Sequence, residues 1–373
     1  MARKNESDNA VATKSAASLK HLRTAIDKLD LQILKLVNER ATMASEIGKV
    51  KSDHGTEVFS PSREEEVFQN VLESNKGPLD TATVRAIYRE IMSGSRALQK
   101  VLKIAYLGPE YSFSHLAAVE RFGQQVEFMG VGSIPAVFEE VNRSHVDFGV
   151  VPLENSTDGG VSDTLDMFVR MPQLRIIAEV RLFIHHNLCA NCEQQQIRRV
   201  YSKPQALAQC RNWLSKNVPY AQLIEVSSTA AAVKLAQQEP GAAAVASRHA
   251  AIHFNVPMLF NNIEDFPNNE TRFAVVGTQE CGKTGHDKTA IMFRVAHNPG
   301  ALVSVLEVFK QAKVNLTWIE SFPSRQPKPA YQFFVDFEGH IEDPRVKKVL
   351  TTLEKECEHL AVLGSFPIAT IGG

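Results

Sequence analysis

The feature that most constrains this chain is an uninterrupted heptad seam. Leu19, Leu22, Ile26, Leu29, Ile33 and Leu36 recur at alternating steps of three and four, which sets all six along one stripe of an α-helix. No proline or glycine interrupts the pattern before Gly48, so the spacing predicts one helix over 19–51. Such a helix is about 50 Å long at 1.5 Å per residue. A small domain does not cover an apolar stripe of that length, so the helix calls for long partner helices, with a second chain as their expected source. Further helices are predicted over 62–74, with Arg63, Glu64 and Glu65 in the first turn, and over 81–100. Residues 18–100 therefore read as an all-α domain. Residues 1–17 lack an apolar core and carry Glu6 and Asp8, which predicts a disordered tail and not a targeting segment.

Beyond Lys103 the period changes. "KIAYLG", "DFGVVPLE", "RRVYS", "AAAVAS" and "RFAVVG" are short apolar strands, and helical stretches such as 204–216 and 229–238 alternate with them. That alternation predicts an α/β domain over 103–280 with a mainly parallel sheet, long enough for two lobes and a cleft. From Lys288 to the end the order is βαββαβ, a ferredoxin-like α+β unit over 288–373, with "KTGHD" as its linker.

Composition narrows the function classes. With 44% hydrophobic residues, 22% charged residues and a net charge of −1, the chain gives no reason to expect nucleic acid or a charged surface as partner. No apolar run has the length of a membrane span. Cys189 and Cys192 form a lone C-x-x-C with no second pair and no histidines at metal spacing, so ordinary reduced cysteines are expected. A glycine-rich phosphate loop is absent.

Cations in the helical region point to an anion. Arg40 falls in the seam one step after Leu36, and Lys51, eleven residues on, faces the same way. Ser95 and Gln99, four apart, share a face of the third helix. Arg23 lies on another face, far from Lys51 along the axis, so it joins such a site only from a second chain. Cations with neutral polar groups suit a small dianion and a reaction that needs trapping and charge stabilisation. The segments "LRTAIDKLDLQILKLVNERATMASEIGKVK", "SREEEVF" and "SGSRALQ" resemble the all-helical chorismate mutase domain. The resemblance implies a helical dimer that rearranges chorismate to prephenate. It assigns substrate binding to Arg23 (from the partner chain), Arg40, Lys51, Arg63, Glu64, Ser95 and Gln99. Lys51 and Gln99 would meet the ether oxygen and Glu64 the ring hydroxyl. Ser60 stands where many relatives carry aspartate.

Polar clusters sit at the strand ends of the α/β domain: "YLGPEYSFSH", "PLENSTDGG", "YSKPQALAQC" and "NNETRF". Strand ends and helix starts are where α/β domains bind ligands. "GPEYSFS", "VPLENS" and "TRF" resemble the motifs of prephenate dehydratase, with Tyr111 in place of a glycine and Ser112 in place of a threonine. A side chain at a glycine position crowds a turn or a ligand. The resemblance implies loss of the ring hydroxyl together with carbon dioxide. Thr271 becomes the catalytic hydrogen-bond donor and Arg272 a carboxylate clamp, while Asn155, Ser156, Ser202 and Gln209 line the pocket.

"NPGALVSVL" and "IESFP" resemble the phenylalanine-binding motifs of ACT regulatory domains, which implies effector contacts at Gly300, Ala301, Leu302, Glu320 and Ser321. Phe322 replaces the family's arginine, so inhibition is expected to be weaker than in relatives with the cation. The domain order resembles the bifunctional chorismate mutase–prephenate dehydratases. That implies a cytoplasmic homodimer or higher homo-oligomer of phenylalanine biosynthesis, regulated by L-phenylalanine and using no metal or organic cofactor. Two alternatives stay open from sequence: a dehydratase that prefers arogenate, and an amino-acid-responsive binding protein with an inactive cleft.

Overall fold

In the computed structural model, residues 2–53, 58–323, 331–369 and 371–372 are described. Helix α1 spans Ala2–Asp53 and so includes residues 2–17, where a disordered tail is expected. The segment is rich in alanine with no proline or glycine, and it adds turns to a helix that is already nucleated. Leu19, Leu22, Ile26, Leu29, Ile33 and Leu36 are all more than half exposed. Helices α2 (Pro61–Ser74) and α3 (Thr81–Ala97) follow. Pro61 occupies the first turn of α2 after the cap Ser60, where its missing N–H costs no helical bond.

The chain divides into two compact units, residues 1–58 with 91–101 and residues 59–90 with 102–373. This cut differs from the expected helical domain of 18–100. Phe59 draws the start of α2 into the larger unit, where its ring packs on Phe122 and Phe148 with centroids 5.0 Å away in each case.

After α2 and the first part of α3, the larger unit continues with β1 (Lys103–Leu107), α4 (Phe113–Phe122), β2 (Glu127–Val131), α5 (Ile134–Asn142), β3 (Phe148–Asn155), β4 (Gly159–Gly160), α6 (Ser162–Arg170) and β5 (Arg175–Phe183). The chain then enters a second lobe through β6 (Asn187–Ala190), β7 (Arg199–Ser202), α7 (Pro204–Gln209), α8 (Arg211–Asn217), β8 (Gln222–Glu225), α9 (Thr229–Gln238), β9 (Ala242–Ala246), α10 (Arg248–His253) and β10 (Met258–Phe260). It returns as β11 (Glu270–Gly277) into the middle of the first sheet, between β5 and β3. Because β11 comes back from the far lobe, it runs antiparallel to both neighbours. The first sheet is therefore mixed and not mainly parallel. In the second, β7 is parallel to β8 and β9, and β6 is antiparallel to β9. Two crossings, residues 184–186 and 261–269, join the lobes.

The last elements are β12 (Asp287–Arg294), α11 (Ala301–Ala312), β13 (Leu316–Pro323), β14 (Tyr331–Glu338), α12 (Pro344–Glu356), β15 (His359–Pro367) and β16 (Ile371–Gly372). The four strands β13-β14-β12-β15 form one sheet in βαββαβ order, and β16 returns to pair with β5. One face of this sheet carries α11 and α12 over Ile291, Phe293, Val335 and Phe337. Its other face, through Ala290, Met292, Phe334 and Phe366, shares a core with Val151, Leu153, Ala274 and Val276 of the first lobe.

Candidate active sites

Thr271 opens β11 directly opposite Asn155, the last residue of β3, and both are buried. Asn155 Nδ2 donates to Thr271 Oγ1 at 2.8 Å and to Asn269 Oδ1 at 3.1 Å. Asn155 Oδ1 accepts the Thr157 backbone N–H at 3.0 Å and the Thr157 hydroxyl. A backbone N–H only donates, so it favours this orientation of the Asn155 amide, in which Thr271 Oγ1 is an acceptor. The threonine keeps its own proton for a ligand. From across the cleft Gln209, the last residue of α7, donates from Nε2 to Thr157 Oγ1 at 3.1 Å and accepts Asn269 Nδ2 at Oε1, also at 3.1 Å. His186 Nε2 approaches the same Oε1 at 3.0 Å and donates to it. Burial holds the His186 imidazole below the ordinary histidine pKa, against the opposing pull of Gln209.

Other expected contacts take different places. Ser156 Oγ accepts the Glu270 backbone N–H at 2.9 Å. Ser202 is fully buried and donates to the Val245 carbonyl at 2.6 Å, so its hydroxyl serves the second lobe's core and not the cleft. Arg272 is the principal correction. Alternation along β11 sends its side chain to the face opposite Thr271. There it meets Glu154 at 2.7 Å, Glu179 at 3.0 Å and Asp336 at 2.5 Å. Lys288 joins Glu179 at 2.5 Å and Asp336 at 3.7 Å. Arg272 is thus a structural cation tying β11 to the C-terminal sheet. Burial favours the neutral Glu179 carboxyl, but Lys288 and Arg272 outweigh it and hold its pKa below the ordinary glutamate value. Tyr111 adopts the left-handed region (φ 63°) that a glycine occupies freely. Its ring, on the first lobe's β1–α4 loop, stacks on His253 of the second lobe at 3.9 Å.

In the helical unit, Arg40 Nη1 donates to Ser95 Oγ at 2.8 Å. The Ser95 hydroxyl in turn donates to the Ile91 carbonyl at 2.7 Å. Gln99 lies against Gly48, where an added β-carbon would stand 2.5 Å from Gln99 Cγ. Gln99 Oε1 is buried without a hydrogen-bond partner among the described residues. Lys51 Nζ donates to the Val58 carbonyl at 3.4 Å. Arg23 is exposed, and 28 residues separate it from Lys51, roughly 40 Å along a helix. Arg63 and Glu64 belong to the larger unit. Exposed Arg63 pairs with Glu66 at 2.7 Å and Glu64 with Arg121 at 2.8 Å.

At the C-terminal unit, Gly300 (φ 87°) caps α11 in the left-handed conformation. Ala301 and Leu302 line a cavity of about 370 Å³ with Val295, His297, Tyr331 and Phe333. Glu320 points away from it. Its Oε2 accepts the Gly160 backbone N–H at 3.4 Å, and Ser321 is exposed. Phe322 packs edge-on to Phe334 with ring centroids 6.3 Å apart.

Sequence reasoning misses Thr157, Asn269 and His186 as site residues. The first two lie inside the segments "PLENSTDGG" and "NNETRF". His186, in "FIHHNL", carries no motif and gains its meaning only from the crossing between lobes.

Known proteins resemble the chain over nearly all its length. Residues 22–100 match the chorismate mutase type II family and residues 104–281 the prephenate dehydratase family. The bifunctional chorismate mutase/prephenate dehydratase of Aquifex aeolicus (strain VF5) is 44% identical over 358 residues, 95% of this chain and 99% of that one. Its counterpart in Pseudomonas aeruginosa is 43% identical over 360 residues, 95% and 98% of the two chains. The crystal structure of prephenate dehydratase from Arthrobacter aurescens in complex with L-Phe superposes with a TM-score of 0.67 at 31% identity, covering 72% of this chain and 90% of that one. These matches leave no support for a binding protein with an inactive cleft. With both catalytic domains present in one chain, the protein belongs to the bifunctional chorismate mutase/prephenate dehydratase family and is an enzyme with both activities.

Proposed function

We propose that this enzyme supplies phenylpyruvate for phenylalanine synthesis as a cytoplasmic homodimer, and that L-phenylalanine inhibits its dehydratase through an ACT-type C-terminal domain. The observation that carries the chemical reading is the bond from Asn155 Nδ2 to Thr271 Oγ1. In prephenate the bond between ring and carboxylate breaks and its electron pair enters the ring. The hydroxyl on the opposite ring carbon leaves with a proton, giving carbon dioxide, water and the aromatic product. A threonine hydroxyl is a weak acid, so Thr271 acts as a positioned donor to the departing oxygen. Its bond from Asn155 aims it. Arg272, held by carboxylates on the other face, takes no part in gripping substrate.

For the mutase, Arg40 binds a carboxylate, with Ser95 orienting its guanidinium. Lys51 and Gln99 stabilise the ether oxygen as charge develops, and Arg23 is lent by the partner chain. The exposed α1 stripe supports this dimer, since an apolar face of that length in water favours a second copy. Mixing Arg23→Ala and Lys51→Ala proteins under subunit exchange should restore about one complete site in some heterodimers. No recovery with exchange verified would remove the shared site.

For regulation, the α11 cavity is of the size that holds small ligands, and the Arthrobacter aurescens relative is described in complex with L-Phe. Away from that cavity, Glu320 on β13 accepts from Gly160, which β4 sets opposite Glu154 and beside Asn155, so the C-terminal sheet reaches the strand end that carries the dehydratase site. Valine at 300 is strained at φ 87°. Titrating dehydratase rate with L-phenylalanine should show inhibition in the wild type and none in Gly300→Val, with mutase intact in both. A wild type that neither responds nor binds phenylalanine by calorimetry overturns the assignment. With Phe322 in place of the cation, inhibition should strengthen in Phe322→Arg.

A further inference from the structure

The polar groups around Thr271 form a ring with a direction. Asn155 Nδ2 donates to Asn269 Oδ1, Asn269 Nδ2 to Gln209 Oε1, Gln209 Nε2 to Thr157 Oγ1, and the Thr157 hydroxyl back to Asn155 Oδ1. Every member donates in the same sense, an arrangement in which each bond polarises the next. A ring of three amides and one hydroxyl has a second solution. If each amide turned over and the hydroxyl rotated, the ring would close in the reverse sense. Asn155 would then present oxygen to Thr271. The threonine would have to give its proton to Asn155, and none would remain for the departing hydroxyl. The direction of the ring therefore decides whether the site is competent.

Two donors from outside the ring choose the direction. One is the Thr157 backbone N–H, which enters at Asn155 Oδ1. The other is His186, which enters at Gln209 Oε1. Gln209 is the one ring member from the second lobe, and His186 lies on the crossing between lobes, buried at 2% exposure. Its backbone N–H is held by Glu264 at 2.9 Å and its ring packs edge-on against Phe113, so the imidazole has a fixed aim. Among the described residues Nδ1 meets no partner. That is the state of a neutral ring with its proton on Nε2.

We propose that His186 is a positioning residue for the dehydratase reaction: its Nε2–H fixes the Gln209 amide and so holds the Asn155–Asn269–Gln209–Thr157 ring in the direction that leaves the Thr271 proton free. The proposal rests on the reading of Thr271 as the donor, and the experiment separates the two. A glutamine side chain places an amide nitrogen near the Nε2 position, an asparagine near Nδ1, and phenylalanine fills the volume with no donor. Steady-state dehydratase kinetics on supplied prephenate are measured for His186→Gln, His186→Asn, His186→Phe and Thr271→Val, and for His186→Phe in the Thr271→Val background. Mutase rate and thermal melting in the same preparations report folding.

His186→Phe and His186→Asn should lower kcat by about tenfold or more, up to the roughly hundredfold cost of one misaimed donor, with KM little changed. His186→Gln should recover most of the rate. The double variant should be no slower than Thr271→Val alone, because the histidine acts through the threonine. If Thr271→Val keeps full rate, the donor reading falls first. If Thr271→Val is slow but the three His186 variants are equal, or the double variant loses the full product of both effects, the ring-setting role is overturned.

Discussion

Replacing Arg272 distinguishes a substrate clamp from a structural cation. Its side chain is 10% exposed, and the carboxylates of Glu179 and Asp336 beside it are 1% exposed. Arg272→Met removes the guanidinium and leaves both carboxylates buried with Lys288 as their shared cation. Breaking a buried pair by deleting one partner costs about 3–5 kcal/mol. A loss of that size lowers Tm by about 2–4 °C per kcal/mol in a domain of a few hundred residues, so a fall on the order of 10 °C is expected. Asp336→Asn in the same chain should reduce the penalty, because it removes the carboxylate that Arg272→Met strands. The coupling between the two changes should be about 1–3 kcal/mol. The assay is thermal and urea unfolding followed by near-ultraviolet circular dichroism, alongside KM for prephenate. Should Arg272→Met melt with the wild type while KM rises by orders of magnitude, Arg272 grips substrate and the structural reasoning is refuted. Acid provides an internal check. Glu179 is held below its ordinary pKa of 4.5, so its contribution is whole above that pH and fades as pH drops through the folded value. Arg272→Met should lessen that acid sensitivity.

Three further outcomes are expected. Arg40→Ala should abolish mutase activity and spare dehydration of supplied prephenate, because Arg40 and Ser95 lie in the helical unit; loss of both rates from a folded protein would contradict separate sites. Burial, the largest cause in each case, holds His115, His186 and His249 below the ordinary histidine value of 6.5. Unfolding then takes up protons below that pH, so stability should rise from pH 5 to about 6.5 and level off; a flat melting profile over that range would contradict it. Tyr111→Gly relieves about 1–2 kcal/mol of left-handed strain and forfeits a stack worth about 0.5–1.5 kcal/mol. Melting should change little while KM for prephenate rises, since the stack ties the lobes; an unchanged KM would show that it does not govern closure.

How far the sequence reached depends on what each residue answers to. Helix α1 follows from local periodicity, and the heptad at Leu19–Leu36 is legible without any fold. The βαββαβ order is equally local. Motif resemblance puts Asn155 and Thr271 in one cleft, and the β3–β11 pairing makes them neighbours. Arg272 shows the opposite. Period-two alternation already turns it away from Thr271, but its three carboxylates come from β3, β5 and β14, which no local pattern brings together. Ser202 sits in a motif yet spends its hydroxyl on Val245, a partner 43 residues away. The antiparallel β11 was hidden for the same reason, because the direction of a returning strand depends on where the chain has been. His186 gave no signal, since a ring of donors exists only after both lobes are in place.

The charges around Arg272 also bear on how such a chain could be cut or grafted. Two of the four most buried members, Arg272 and Glu179, precede the linker at 283–287, and the other two, Lys288 and Asp336, follow it. Each side of that linker contributes one cation and one anion. Removing or exchanging everything after it therefore takes away equal and opposite charge, and Arg272 stays matched with Glu179. The loss is then one of apolar contact, where Ala290, Met292, Phe334 and Phe366 meet the first lobe, and of backbone pairing between β16 and β5. A single change at any of the four leaves a net charge stranded. By this arithmetic the C-terminal unit is more readily gained or shed whole than altered one buried charge at a time.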